Sequence, residues 1–97
     1  MTAVLELVEI FTGIDDEPTM AQLFEEIFTE KERRDIALRW QLLKELHEGE
    51  TQRKIAERHR ISLCKITRGS KILKSETSVI KKILVEKLGA QKQRLKK

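Results

Sequence analysis

The residues best suited to binding chemistry lie between Gln52 and Lys74, where two short basic helices joined by a turn are predicted. Ala56, Ile61 and Ile66 follow one another at offsets of five residues. This spacing fits the small and apolar residues that hold the two helices of a helix-turn-helix together. The exposed positions carry groups that bind phosphate oxygens and base edges, and they are Gln52, Arg53, Lys65, Arg68 and Lys71. The pattern predicts DNA binding.

The charge of the chain is divided sharply between its two halves. Residues 1–50 carry 5 Lys and Arg against 13 Asp and Glu, whereas residues 51–97 carry 15 against 3. Scattered basic residues are ordinarily a solvated surface, but segregation on this scale is expected of a protein that binds a polyanion. The charge pattern therefore favours a nucleic-acid partner.

The turn between the two basic helices departs from the usual pattern. Arg60 stands where glycine is common, so Arg60 must either accept a positive φ or use another turn geometry. An ordinary helical hairpin with a solvated basic face is the structural alternative to a helix-turn-helix.

The segments before this stretch also predict helices. Residues 3–12 are apolar on nearly every side, so this first helix needs cover on more than one face, and a second subunit would provide it. Residues 19–28 predict a short second helix whose buried stripe is Leu23, Phe24, Ile27 and Phe28.

The ends of the later helices are marked by capping residues. Thr29 and Glu32 form a Thr-x-x-Glu capping box that opens a long third helix, and Gly49 ends it. The next N-caps are predicted, in chain order, at Thr51, at Ser62 and at Thr77 or Ser78. The inner face of the fifth helix is predicted to hold Leu63, Ile66, Ser70 and Leu73.

Several classes of protein are disfavoured by composition. Cys64 is the only cysteine, which excludes an intrachain disulfide and favours a reducing compartment. No apolar run approaches the roughly 18 residues that span a bilayer, and a cytoplasmic protein is expected. Neither histidine has an evident acid–base partner, and no cluster has metal-ligand spacing, so neither an enzyme nor a metal site is predicted. A helical protein-interaction module, pairing its acidic and basic halves with other chains, is the alternative of another class.

From Phe28 to Lys74 the chain resembles the tryptophan repressor family of bacterial dimeric regulators. The residues that carry the resemblance are Thr29, Arg33, Arg39, Gly49 to Arg53, and above all Ile66-Thr67-Arg68-Gly69-Ser70 followed by Leu73-Lys74. The resemblance implies an all-α fold, a six-helix helix-turn-helix subunit that forms an intertwined homodimer. It implies one domain over residues 1–97, with residues 1–50 as the dimerisation core, 51–74 as the helix-turn-helix and 75–97 as the C-terminal helix and basic tail.

The resemblance also implies a function. It implies a repressor that binds double-stranded operator DNA, with L-tryptophan as a reversible co-repressor, and shuts off genes of tryptophan biosynthesis or uptake. Arg39 and Arg68 would sandwich the indole, Arg68 and Thr29 would hold the carboxylate, and Gly69 would leave room for the ring. The implied DNA-binding positions are Gln52, Arg53, Ala56, Leu63, Cys64, Lys65, Thr67 and Lys74.

The chain departs from the family pattern at three places. Ile72 stands where the family usually has a small or hydroxyl residue, so a hydroxyl that can meet the ammonium of the ligand is missing. The segment Gly49-Glu50-Thr51 is one residue shorter than in the best-known members, and Cys64 and Arg60 replace commoner small residues. A repressor of the same fold that senses a different small ligand, or none, is therefore the alternative within this class.

Two of the implied ligand residues also have purely structural interpretations. Thr29 is suited to capping a helix, and Arg39 could form a surface ion pair with Asp35 one turn earlier.

Overall fold

In the computed structural model, which describes residues 2–89, the chain consists of six α-helices. Their bounds are α1 Thr2–Gly13, α2 Glu17–Ile27, α3 Glu30–His47, α4 Gln52–His59, α5 Leu63–Lys74 and α6 Val79–Leu88. No strand occurs within residues 2–89, so the predicted all-α, six-helix subunit is confirmed. The basic tail predicted after Gly89 lies outside the described residues. No helix in the described part is long and apolar enough to cross a membrane.

The chain divides into two compact units, Met1–Ile36 and Ala37–Lys97, and the boundary falls within α3. In the first unit, the ring of Phe24 lies 6.1 Å from that of Phe11 and 5.2 Å from that of Phe28, measured between centroids. The guanidinium of Arg33 donates to the carbonyl oxygen of Glu25 at 3.0 Å. Neither α1 nor α2 contains a buried residue.

The apolar side chains of the first unit are unusually exposed. The four most exposed on α1 are each at least half exposed, namely Val4, Leu5, Val8 and Ile10, and Leu5 reaches 65%. On α2, Leu23, Phe24 and Phe28 are half-buried as the predicted stripe requires, but Ile27 is exposed. The predicted burial of Ile27 is wrong for the single chain, since its side chain is 39% exposed.

Side chains cap the N-termini of both α2 and α3. Asp16 accepts a hydrogen bond from the backbone N–H of Thr19 at 3.0 Å, which lowers the pKa of Asp16, and Pro18 follows in the first turn of α2. The backbone N–H of Glu32 donates to the Thr29 hydroxyl at 3.1 Å, while the Thr29 N–H donates to the Glu32 carboxylate at 2.9 Å. These two bonds form the reciprocal capping box that the sequence predicts.

The second unit has a buried core built by α3, α4 and α5. Leu42, Ile55 and Ile66 form its centre, and the side chains packed against them are Leu38, Leu46, Ala56 and Ile61. Ile55 and Ile66 are fully buried, as is Leu84 of α6. Burying one such side chain contributes roughly 1.5–3 kcal/mol, so these few residues stabilise most of the unit.

Two further contacts fix the later helices. Ser78, rather than Thr77, caps α6 by accepting from the N–H of Lys81 at 3.0 Å. The ring of His47, buried at the last position of α3, forms a hydrogen bond between its Nε2 and the carbonyl oxygen of Gly89 at 3.0 Å. The end of α3 is therefore fastened to the end of α6.

Candidate DNA-binding and ligand-binding residues

The helix-turn-helix is formed by α4, a short turn and α5. Thr51 caps α4 by accepting from the N–H of Lys54 at 3.2 Å. Arg60 has φ 58° and ψ 48°, so it adopts the left-handed conformation and accepts the strain that glycine would avoid. Ser62 occupies the predicted N-cap position of α5, but its side chain does not make a capping hydrogen bond.

The three residues that predicted the motif pack as expected. Ile66 is fully buried, and Ala56 and Ile61 pack against the same core. The backbone N–H of Ile61 donates to the carbonyl oxygen of Ala56 at 3.2 Å, which closes the turn. The helix-turn-helix that the five-residue spacing predicted is therefore present in the structure.

Most of the predicted DNA-contact residues face outward. The exposed ones are Arg53, Leu63, Cys64, Lys65, Thr67 and Lys74, whereas Gln52 and Ala56 are half-buried. Leu63 is 51% exposed, so its assignment to the inner face of α5 is wrong. The hydroxyl of Thr67 lies 3.3 Å from the side-chain oxygen of Gln52, which brings one predicted contact from each helix together.

Several cations on this surface have no carboxylate partner in the part of the chain that the structure describes. Within residues 2–89 no ion pair joins a carboxylate to any of five basic side chains, those of Arg53, Lys65, Arg68, Lys71 and Lys74. The surface is therefore positively charged without compensation, as binding to phosphates requires.

A charged cluster that the sequence did not predict surrounds Glu45, near the end of α3. The Glu45 carboxylate is buried and accepts hydrogen bonds from Gln41 at 2.8 Å and from Arg58 of α4 at 2.6 Å. Nε2 of His59 lies 3.0 and 3.1 Å from its two oxygens. The expectation that neither histidine has an acid–base partner is therefore wrong for His59. The Arg58 guanidinium also donates to Glu50, at 2.5 Å.

Glu45 stays charged in this environment. Burial alone would raise the pKa of Glu45, but the hydrogen bonds from Gln41 and His59, together with the charges of His59 and Arg58, outweigh burial and lower it. The pKa of Arg58 is raised, chiefly by its hydrogen bond to Glu50. Arg58 and His59 lie 13 and 14 residues after Glu45 along the chain, so no local sequence pattern links them to it.

The predicted ligand residues lie in both units. Thr29 belongs to the first unit, as the N-cap of α3. Arg39 is exposed on α3, one turn after Asp35, whose carboxylate pairs with Lys31 at 3.1 Å. On α5, Arg68 is exposed and Ile72 is half-buried.

At Gly69, α5 lies close to side chains of α3. A Cβ atom at Gly69 would lie 3.2 Å from the side chains of Leu43 and Leu46, which is tighter than ordinary van der Waals contact. Glycine therefore permits α5 to pack closely on α3. The contacted part of α3 begins one turn after Arg39.

A shallow cleft of about 410 Å³ lies in the second unit between α3, α5 and α6. Its lining residues are Leu46, His47, Ser70, Leu73, Lys74 and Lys81. None of the five predicted ligand residues lines it. The described residues contain no cluster of side chains that could hold a metal ion.

An all-α subunit whose helix-turn-helix carries an uncompensated basic surface defines a helix-turn-helix DNA-binding protein. Residues 2–88 match the Trp repressor protein family, and the chain belongs to that family. The chain is similar to the Trp operon repressor homologs of Chlamydia trachomatis serovar L2 and serovar D. Each is 38% identical over 73 residues, which cover 74% of this chain and 78% of the relative. No solved structure matches the chain significantly.

Family membership settles the general function. The chain is a DNA-binding transcriptional repressor, and its family is one of regulators rather than of enzymes.

Proposed function

We propose that this chain represses transcription as a homodimer whose affinity for operator DNA is raised by L-tryptophan. The observation that carries the proposal is the arrangement of α5. Its uncompensated basic surface is continuous in sequence with Arg68-Gly69, where the helix packs closely on α3. One helix thereby serves both DNA and ligand.

The DNA-facing part of the proposal rests on exposure and charge. Arg53 at the start of α4 and Lys65 at the start of α5 are exposed and lack carboxylate partners within residues 2–89. In helix-turn-helix dimers two such units enter successive major grooves about 34 Å apart on a two-fold operator. The remaining predicted contacts would read or position the duplex from the same surface.

The homodimer is supported by the exposed apolar side chains of α1. Val4, Leu5, Leu7, Val8 and Ile10 are apolar side chains that stay exposed around much of α1. Contiguous exposed apolar patches mark association sites, and a second copy of the same helix is the occupant that symmetry favours. Residues 1–50 would then form the dimerisation core.

The ligand-facing part rests on residue chemistry. A guanidinium plane stacks on an aromatic ring and pairs with a carboxylate, which suits Arg39 and Arg68 to an indole amino acid. The Thr29 hydroxyl accepts from the Glu32 N–H and keeps its own proton available, so it can also donate to the ligand carboxylate. Gly69 would leave room for the ring.

Ile72 supports a second candidate function. It is half-buried on α5 and offers no hydroxyl to the ammonium of an amino acid. A repressor that binds a different small ligand, such as an indole compound lacking the ammonium, is therefore the competing proposal.

Calorimetry separates the two candidates. The protein is titrated with L-tryptophan and with indole-3-propionate, which keeps the ring and the carboxylate but lacks the ammonium. Tighter binding of L-tryptophan supports the proposal, whereas tighter binding of the propionate favours the second candidate. Arg68→Lys, which keeps the charge but loses the planar fork, should weaken both ligands at least about tenfold. If neither ligand binds, the L-tryptophan proposal is contradicted, and so is an indole compound as the ligand of the second candidate.

A further inference from the structure

The Glu45 cluster joins α3 to the first helix of the helix-turn-helix through charged hydrogen bonds. Glu45 is 5% exposed, yet its carboxylate is surrounded by donors from three side chains, those of Gln41, Arg58 and His59. Both Arg58 and His59 lie in the last turn of α4. The cluster therefore holds the end of α4 that is farther from Gln52 and Arg53.

A buried ion pair contributes little to stability, because desolvation offsets its attraction, but it can select one arrangement of the elements it joins. Removing one member of such a pair leaves its partners without the bonds that their geometry requires. Both carboxylate oxygens of Glu45 accept hydrogen bonds from these three side chains. The cluster is therefore suited to fixing the angle between α3 and α4.

The helix that it holds has few other constraints. α4 has eight residues and only one buried side chain, Ile55. Such a helix is about 12 Å long, so a tilt about Ile55 that moves His59 also displaces Gln52 at the opposite end. Without the cluster, the direction of α4 would be set by packing at Ile55 and Ala56 and by the single hydrogen bond between Thr67 and Gln52.

We propose that Glu45 is a positioning residue for DNA recognition. Through Arg58 and His59 it sets the direction of α4, and thereby the place at which Gln52 and Arg53 meet the duplex. α5 does not bond to Glu45, so the contacts of Lys65 do not depend on the cluster in the same way. The inference rests on the DNA-contact roles proposed for Arg53 and Lys65.

Glu45→Gln is the substitution that tests the cluster. A glutamine has nearly the same volume, but its amide group places a donor against the donors of Gln41 or His59 and removes the negative charge. Operator affinity is measured at one fixed salt concentration for the wild type, for Glu45→Gln, for Arg53→Gln and Lys65→Gln, and for the two double variants that contain Glu45→Gln. Glu45→Gln is expected to weaken operator binding about tenfold.

The double variants distinguish positioning from general damage. If Glu45 positions α4, Arg53→Gln should cost little further affinity once Glu45 is replaced, whereas Lys65→Gln should cost as much as it does in the wild type. A general loss of folded protein would instead reduce every affinity by one common factor. Additive costs at both positions, or wild-type affinity in Glu45→Gln, would overturn the proposal.

A second pair of variants serves if Glu45→Gln unfolds the protein, as judged by circular dichroism. His59→Gln keeps a side-chain N–H that can donate to Glu45, and it should retain operator affinity within about twofold. His59→Leu removes the donor at similar volume and should weaken operator binding. In that variant, adding Arg53→Gln should cost little further affinity. Equal affinities of the two His59 variants would contradict the role of the cluster. If the wild type itself fails to bind operator DNA, the proposed function fails instead.

Discussion

α1 and α4 are stabilised in opposite ways, although both are helices with few buried residues. α1 has 12 residues, mostly apolar, and none is buried in the single chain. α4 has 8 residues, mostly polar, yet it is fixed by the fully buried Ile55 and by the charged bonds of Arg58 and His59 to Glu45. α4 therefore finds its packing partners within its own chain, whereas the apolar side chains of α1 stay exposed, as expected of a helix that the proposed second subunit would cover.

The largest expected effect comes from placing a charge on α1. Val8 is half-exposed, so Val8→Glu would be tolerated if the chain acted alone. In the proposed dimer the carboxylate would be buried without a partner, and dimerisation should weaken by about 3–5 kcal/mol. Analytical ultracentrifugation of this variant should show monomer at concentrations at which the wild type is dimeric. Glu9→Gln, at the neighbouring position, is the control, and equal dimer populations in Val8→Glu and the wild type would contradict the role of α1.

A second test compares the two faces of α5. Ile66 is fully buried and Leu63 is 51% exposed. Ile66→Ala should reduce the free energy of unfolding by about 2–5 kcal/mol, because a cavity replaces packed side chain. Leu63→Ala should change it by less than about 0.5 kcal/mol and should mainly weaken operator binding. Urea unfolding of the two variants measures the difference, and similar losses of stability would mean that Leu63 is buried.

The Glu45 cluster should make part of the stability depend on pH. Because the folded-state pKa of Glu45 is lowered, its contribution to stability is complete above the unfolded pKa of about 4.3 and is lost as the pH falls through the folded-state value. Glu45→Gln should be less stable than the wild type by about 1–3 kcal/mol at neutral pH. Urea unfolding from pH 7 to pH 3 should show this difference shrinking at the acidic end. A difference that stays constant over that range would exclude the ionised carboxylate as its cause.

The smallest expected effect distinguishes the two caps of the helix-turn-helix. Thr51 accepts a capping hydrogen bond at 3.2 Å, whereas the side chain of Ser62 accepts none. Thr51→Ala should cost about 1 kcal/mol of stability, and Ser62→Ala should change it by less than about 0.5 kcal/mol. Thermal unfolding monitored by circular dichroism measures both, and an equal loss at Ser62 would show that it caps α5 in solution.

The features that could be predicted from sequence are the local ones. The Thr29–Glu32 capping box and the Thr51 cap depend on residues within a few positions of one another, so they could be predicted directly from the sequence. For Arg60 the sequence left two turn geometries open, and the structure has the positive φ. The spacing of Ala56, Ile61 and Ile66 also allowed the packing of one pair of helices, α4 and α5, to be predicted.

The features that could not be predicted depend on elements far apart in the chain or on other molecules. The bonds of Glu45 to α4 require α3 and α4 to meet, which no local pattern specifies. The exposure of Leu63 and Ile27 likewise depends on what neighbouring elements cover. The assignments of DNA and ligand contacts stay predictions, because they concern surfaces whose partners are a duplex, a ligand and a second chain.

The most direct test of the account is operator affinity measured with and without L-tryptophan. A fluorescent duplex selected from random sequences by the protein in the presence of L-tryptophan is titrated at fixed salt, and fluorescence anisotropy gives the dissociation constant. The account predicts that saturating L-tryptophan tightens binding at least about fivefold, within the usual range of allosteric coupling, and that Arg68→Lys reduces this gain. Identical dissociation constants with and without L-tryptophan would contradict it.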